Sequence, residues 1–482
     1  MAQMVESTTE MRREIAHRVG HWDPEKSVVL TAEYQIPPGC ESPFVAALES
    51  LAAATRSARG LQHFNWHTPV GPKHPGRAAR FHTYEEWTTP ADFLNQWNSD
   101  HLQRFQRIAG SLSTGSTLEL AAGAGGVETA PVGPVMVLRT GQADSWDAKG
   151  ELRKKSDRSG DDGYWELGAT FPAAPRFRDN NDNGTVTDTK TDLVWLKNAN
   201  VFGEVPWMTA LQNAAHLAAG APGLNDGSKR GDWRLPNVNE MQSILDLNNT
   251  FGPALPIDAP FINLEATNYW TSSSVALAPA LGWFVALAVG PPVFDLKMNR
   301  MRMWPVRGRT SRVAQTGQKQ CFGPFGQPLP CGGTGQDGEL RSGAPWPAVR
   351  FLDNEDGTVT DQLTGLLWLQ NADAFGRMPW QAALDACSGL ASGDKGLDDD
   401  SKSGDWRLPN LNELRSLIDY SEKAPALPKP HPFSNVRSSL YWSSTTVASA
   451  PGFARFVFVG VGPSVWDSKS VRMTVWPVRN GR

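Results

Sequence analysis

The chain is expected to fold as three α+β domains in a row, a small N-terminal βαββαβ unit followed by two diverged copies of one Trp-rich module. Three observations predict this. The 482 residues exceed what a single hydrophobic core holds, since chains divide at roughly 100–200 residues per domain. Trp195, Trp207 and Trp233 recur as Trp368, Trp380 and Trp406 at one constant offset. After a one-residue deletion, Tyr269-Trp270 recurs as Tyr441-Trp442, and Trp304-Pro305-Val306-Arg307 as Trp476-Pro477-Val478-Arg479. Only two copies exist, each of about 170 residues, so they are duplicated globular modules and not a solenoid of 20–50-residue repeats. Upstream of both lies a segment with its own alternation of strand and helix patterns.

In that segment Val28–Ile36 alternates as a strand, Pro37-Pro38-Gly39 turns, and Phe44, Leu48 and Leu51 mark one face of a helix ending near Gly60. Leu61–His67 and Arg80–Trp87 are two further strands. Ala91–Arg107 is a helix capped by Thr89 with Pro90 in its first turn, and Thr117–Leu120 is a last strand. The order βαββαβ is that of a ferredoxin-like unit. Small residues between Ser111 and Gly133 read as a linker beyond that strand. The expected divisions are 1–125, 135–308 and 313–480.

Each copy opens with Thr140-Gly141-Gln142 or Thr316-Gly317-Gln318. Gly184-Thr185-Val186-Thr187-Asp188 and Gly357-Thr358-Val359-Thr360-Asp361 then follow Asn/Asp-rich turns and lead into Leu193-Val194-Trp195 and Leu366-Leu367-Trp368, the pattern of a β-hairpin. Helices are expected over Trp207–Leu217 and Trp380–Leu390, and again over Val238–Leu247 and Leu411–Tyr420. The second pair carries Asn237 and Asn410 as N-caps with Glu240 and Glu413 three residues on, a capping box. The remainder is short strands, so each copy is two helices on a small antiparallel sheet. Arg234 and Arg407, set between Trp and Leu, call for carboxylate partners, and Glu240 and Glu413 are in reach.

A net charge of −4 without any block of like charge excludes the basic footprint of a nucleic-acid binder. No apolar run approaches the ~18 residues of a membrane span. Residues 1–20 lack the apolar core of a secretory signal, which points to the cytoplasm. Of four cysteines, Cys321 and Cys331 lie ten positions apart. The first copy holds Ser145 and Lys155 at the matching places, so the two are absent together and are expected to bridge. No phosphate-binding loop, nucleophile elbow or zinc motif occurs.

The set Asp-Gly-Thr-Val-Thr-Asp, Asp-Trp-Arg-Leu-Pro-Asn with a following Glu, Tyr-Trp-Ser-Ser and a terminal Val-Arg resembles the Lcl C-terminal domain family over both copies. That resemblance implies a C-type lectin-like fold, a location outside the cytoplasm and binding instead of catalysis, since the family's named member is an adhesin for glycosaminoglycans. The N-terminal segment is similar to the antibiotic biosynthesis monooxygenase family, a dimeric α+β barrel, through Pro38-Gly39, Tyr84-Glu85-Glu86-Trp87 and Ser99-Asp100-His101 with Phe105. This implies a homodimer, and in its catalytic members cofactor-free oxidation of quinol-like aromatic substrates.

Two functions are therefore carried forward. In the first, the tandem modules bind a glycan or small-molecule ligand and the N-terminal domain dimerises them. Ligand contacts are then expected where the copies diverge, Ala276–Trp283 against Ala448–Arg455 and Phe294–Met301 against Trp466–Met473, with Trp283, Arg455 and Trp466 as the contacting residues. In the second, the N-terminal domain is an oxygenase whose pocket is formed by His101, Trp66 and Trp87, the histidine taking a substrate proton. No organic cofactor is expected. Calcium is the one candidate ion, on loops bearing Asp226 and Asp232 in one copy and Asp399 and Asp405 in the other.

Overall fold

The computed structural model describes residues 28–55, 61–67, 79–97, 99–112, 115–122 and 135–480, the last apart from 136, 158, 170–174, 182, 222, 250–251 and 257. The chain divides into two compact units, Met1–Ala130 with Arg482, and Pro131–Gly481.

The N-terminal unit runs β1 (Val28–Ile36), α1 (Glu41–Thr55), β2 (Leu61–His67), β3 (Ala79–Trp87), α2 (Pro90–Trp97), α3 (Asp100–Leu112) and β4 (Gly115–Ala122). Its antiparallel sheet has the order β2-β3-β1-β4, the ferredoxin-like arrangement that the order of elements predicts. Alternation along β1 and β3 turns Val28, Leu30, Phe81 and Trp87 toward Phe44, Leu48, Phe93 and Phe105 of the helices. The single helix expected over 91–107 is two. Ser99 ends the first, its hydroxyl donating to Gln96 O at 2.6 Å, and its backbone carbonyl accepts Gln103 N at the start of the second. The small-residue stretch after Ser111 contributes β4, which pairs with β1 along its length. Its remainder, 123–133, lies outside the described residues.

In Pro131–Gly481 each copy is a sheet-rich α+β module. The first helices, Trp207–His216 and Trp380–Gly389, and the second, Val238–Ser243 and Leu411–Ser416, sit on two small sheets per copy. The capping boxes are complete: Asn237 and Asn410 accept the backbone N–H of Glu240 and Glu413 at 2.9 Å each, and the glutamates accept the asparagine N–H in return. The second helices are shorter than their periodicity suggests, because Ile244–Leu247 and Leu417–Tyr420 leave the helix to pack into the shared core as single buried residues.

The segment leading into each copy docks on the other copy. Along arm 1 (135–169), Leu138 O and Leu167 O accept Asn412 Nδ2 and Asn410 Nδ2, at 3.0 and 3.2 Å. The Gln142 amide exchanges two hydrogen bonds with the backbone of Thr446. Arm 2 (313–344) repeats the pattern on the first copy: Ala314 O and Ser342 O accept Asn239 Nδ2 and Asn237 Nδ2, and Gln318 pairs with the backbone of Ser274. Each arm bends at a glycine with positive φ, Gly141 (+91°) and Gly317 (+90°), where a Cβ would meet Asp246 or Asp419 at about 2 Å. Only glycine fits there. A contiguous core from both copies, including Trp195, Trp304, Trp368 and Trp476, fills the centre of the unit. No helix among the described residues is long and apolar enough to cross a membrane.

Cys321 and Cys331 are joined by a disulfide, with Cα atoms 5.2 Å apart, on a two-stranded ribbon of arm 2 (Cys321–Phe322 with Pro328–Leu329). Cys40 and Cys387 are free thiols. Closing so short a loop stabilises the arm by about 2–3 kcal/mol through the unfolded chain. The Cys331→Ser variant is therefore expected to lose that amount in urea unfolding of the oxidised protein and to match the wild type when both are reduced.

Candidate functional site

Beside arm 2 lies a cavity of about 970 Å³. Its walls come from three parts of the same unit: the end of a strand in the first copy at Ser274, arm 2 with the residues after it to Phe351, and the loop 419–432 of the second copy. The aromatic wall is Trp346, Phe351 and Tyr420. Trp346 is half-buried and anchored by its Nε1, which donates to Gln315 O at 3.0 Å. The Arg350 guanidinium lies 4.8 Å from the Trp346 ring centre and is itself held bidentately by Asp361 at 3.1 Å. Tyr420 is buried, with its hydroxyl accepting Gln242 Nε2 at 3.1 Å.

The polar lining includes the exposed cations Lys319 and Arg341, the half-buried His431, and the carboxyls of Asp419 and Glu422. Lys429 is paired with Glu422 at 3.0 Å. Burial, reinforced by the charge of Lys429 and opposed by backbone hydrogen bonds at His431 and Phe433, holds the His431 imidazole below its usual pKa. A half-exposed indole with convergent donors is what a polar ring such as a sugar needs, an apolar face to stack on and donors at its edge.

The residues named from divergence between the copies do not form such a surface. Trp283 is 1% exposed and packs edge-on against Phe294 and Tyr420, at 5.3 and 5.2 Å. Arg455 is 4% exposed. Only Trp466 is half-buried. Both Trp283 and Arg455 face the shared core, a placement that sequence comparison between copies cannot reveal.

The four aspartates do not fit a calcium ion. Asp226 pairs with Arg307 at 3.2 Å and Asp399 with Arg479 at 2.9 Å, and each also accepts its own loop serine, Ser228 or Ser401, at 2.6 Å. Asp232 and Asp405 accept the backbone N–H of Lys229 and Lys402 at 2.8 Å. At Asp226 and Asp399 a guanidinium stands where a cation would have to sit. Among the described residues no three acidic, His or Cys side chains are grouped as metal ligands.

In the N-terminal unit, His101 Nε2 meets the Gln96 side-chain amide at 2.7 and 3.0 Å, and Gln96 Nε2 also donates to Thr55 Oγ1 at 3.0 Å. The imidazole is thus tied into a link between the helices. Trp66 lies on β2 opposite Thr83, with its side chain outside the described residues. Trp87 is fully buried and donates from Nε1 to Glu85 Oε2 at 3.1 Å. Glu85 is the group the motif reading passed over. Burial raises its pKa to about 7, against the opposing hydrogen bond from Trp87, and burial with the charge of Glu85 raises the Tyr34 hydroxyl as well. The signal was present in the alternation, since Glu85 shares its phase with Phe81, Thr83 and Trp87 and so points inward.

Comparison with known families fits this division. The Lcl C-terminal domain matches residues 184–307 and again 357–479, slightly over half of the chain. The chain belongs to the Lcl C-terminal domain family. Ahead of its two repeats it carries an antibiotic biosynthesis monooxygenase domain, matched over residues 27–108. Solved structures similar to part of it include a protein of Shewanella oneidensis, at 21% identity over 20% of this chain and 91% of that one with a TM-score of 0.18. A protein of Mycobacterium tuberculosis matches at 16% identity, over 21% and 99% of the two chains with a TM-score of 0.19. A candidate antibiotic biosynthesis monooxygenase of Chloroflexus aurantiacus matches at 17% identity, over 21% and 98% with a TM-score of 0.18. No curated protein matches the chain.

Both Lcl repeats seat the crossing arm through a buried carboxyl and a buried amine. Asp162 of arm 1 accepts Thr140 and Thr445 hydroxyls at 2.6 and 2.7 Å, and Asp337 of arm 2 accepts Thr316 and Ser273 at 2.7 and 2.5 Å. Burial raises these carboxyls to about 7 and about 6 from 3.8. Lys297 and Lys469, 4.0 and 3.9 Å from the ring centres of Trp207 and Trp380, donate to carbonyls of the opposite arms at Phe322 and Asp147. Burial lowers both amines to about 7 from 10.5. Between pH 4 and about 7 the folded carboxyls hold protons that the unfolded chain has released, so this contribution to stability falls as pH rises. Between about 7 and 10.5 the unfolded chain holds protons that the folded lysines lack, so stability rises. Urea midpoints measured from pH 4 to 10 are expected to show both limbs, and the Asp162→Asn/Asp337→Asn double variant to make the acid limb shallower while leaving the alkaline limb unchanged.

Proposed function

We propose that the protein is a binding protein whose Lcl repeats, read as C-type lectin-like modules, take an acidic sugar or polysaccharide segment in the cavity at arm 2. The observation that carries this reading is the half-buried Trp346 in one cavity with the exposed cations Lys319 and Arg341. Stacking supplies affinity for a sugar face, and the cations favour carboxylated or sulfated units. Dimerisation through the antibiotic biosynthesis monooxygenase domain would double the sites per particle and raise a weak site affinity by effective concentration. A compartment outside the cytoplasm suits both a polysaccharide ligand and the Cys321–Cys331 disulfide.

A second reading rests on Glu85. A carboxyl with a pKa near 7 in an apolar interior, next to Trp87 and Tyr34, is suited to take the hydroxyl proton of a quinol-like substrate. Oxygen uptake by the full chain with a panel of quinols, compared between wild type and Glu85→Gln, tests it. Uptake abolished in the variant supports it, and no uptake in the wild type removes it.

For the leading reading, titration calorimetry of the full chain with sulfated and carboxylated oligosaccharides is expected to detect binding. Trp346→Ala should weaken that binding at least about tenfold, the loss of one stacked ring worth roughly 1.4 kcal/mol. Lys319→Ala should weaken it less and reduce its salt dependence. If acidic and neutral sugars alike fail to bind the wild type, the reading is wrong.

A further inference from the structure

Buried arginines of the two copies and their arms follow a rule with two exceptions. Arg176 is held by Asp188, Arg350 by Asp361, Arg407 by Glu413 and Arg479 by Asp399. Arg415 and Arg455, 5% and 4% exposed, have no carboxylate among the described residues. Arg415, on the helix Leu411–Ser416, donates through Nε and Nη2 to the Ser464 hydroxyl at 3.0 and 2.6 Å and through Nη1 to Asn412 Oδ1 at 3.4 Å. Arg455 Nε and Nη1 are buried with no hydrogen-bond partner at all.

The three side chains converge on one place. Arg455 lies opposite Trp466 on the neighbouring strand, and Ser464 lies two residues from Trp466, opposite Val457. Arg455 and Ser464 therefore share one face of the sheet as diagonal neighbours. Arg415 reaches Ser464 from the helix packed above. The Ser464 hydroxyl accepts both Arg415 donors, which leaves its own hydrogen to give. Burial lowers the pKa of Arg415, Tyr420 opposes that shift, and the two guanidinium groups are close enough for the charge of Arg455 to add to it.

Two buried like charges without a counter-charge are strongly unfavourable. The first copy avoids the problem: its matching residues are Gln242, Trp283 and Pro292, none of them charged. There the Trp283 ring occupies the position of Arg455 and packs on Phe294. The second copy has kept the backbone and exchanged an apolar filling for two cations and a hydroxyl, all of them donors.

We infer that the second Lcl repeat holds a small inorganic anion of the halide or nitrate class, bound by the free Nε and Nη1 of Arg455 and by Arg415 and Ser464. The site lies inside the fold, none of its three side chains lines the cavity at Trp346, and its ion is a structural component of the second repeat. Because Arg455 and Arg415 are 4% and 5% exposed, the ion is a small one enclosed by the fold.

The full chain is desalted into sodium methanesulfonate, and its thermal midpoint is followed as chloride, bromide or nitrate replaces that bulky anion at constant ionic strength. The midpoint is expected to climb by roughly 2–4 °C per tenfold increase once the site is filling. The Arg415→Gln/Arg455→Trp variant, which copies the first repeat's own residues, should fold and lose this dependence. Bromide-soaked crystals of the wild type should show an anomalous peak within hydrogen-bond distance of Arg455. If the variant responds to halide as the wild type does, or if the wild type gives a flat midpoint and no bromide peak, the inference is overturned.

Discussion

One carboxylate in each repeat, Glu240 and Glu413, holds the surrounding structure in place. Both are almost fully buried, and a buried carboxylate is tolerable only when its oxygens are filled with donors. Glu240 accepts Arg234 bidentately at 2.7 Å, the Asn237 backbone N–H at 2.9 Å and the Ser342 hydroxyl at 2.7 Å. A strand arginine, a helix N-terminus and the arm from the other copy therefore meet on one group. Glu413 does the same for Arg407 and Asn410, and the Asn410 side chain then carries arm 1 through Leu167. Remove the carboxylate and an arginine is left buried and unpaired, the helix loses its cap and the arm its seat.

The exchange of arms explains why so many polar groups sit deep in this unit. Asp162, Asp337, Lys297 and Lys469 are all nearly inaccessible, and each bonds across the boundary between the copies. A purely apolar seam of the same area would bind the arms in many registers. Hydroxyl–carboxyl and amine–carbonyl pairs accept one register only, which suits two arms of similar sequence that must each find the opposite copy. The accompanying cost is stability near neutral pH, where neither the carboxyls nor the amines are in their preferred state.

Where the copies differ, they differ most tellingly inside. Trp283 against Arg455 and Gln242 against Arg415 change charge at the centre of an otherwise matched core. The cavity at arm 2, by contrast, takes its aromatic wall from residues of the second copy and its arm. The duplicated scaffold has thus separated into a copy whose interior is sealed by an indole and a copy whose interior needs an ion. In the N-terminal unit the comparable feature is Glu85, a buried carboxyl on the strand face that carries Phe81 and Trp87.

The sequence by itself determined the elements whose cause is local. The βαββαβ order came from alternation and turn residues, the capping boxes from Asn and Glu three apart, the Arg234–Glu240 and Arg407–Glu413 pairs from six-residue proximity, and the bridge from two cysteines ten positions apart. Glu85 was legible too, in the phase of its strand. The tertiary structure alone decided that each arm crosses to the other copy, that Trp283 and Arg455 lie in the core, and that Arg307 and Arg479 close the loops at Asp226 and Asp399. Gln142 and Thr446, which join arm 1 to the second copy, stand 304 positions apart. A contact at that separation leaves no periodicity or spacing in the chain, because nothing between the two residues has to change for it to form.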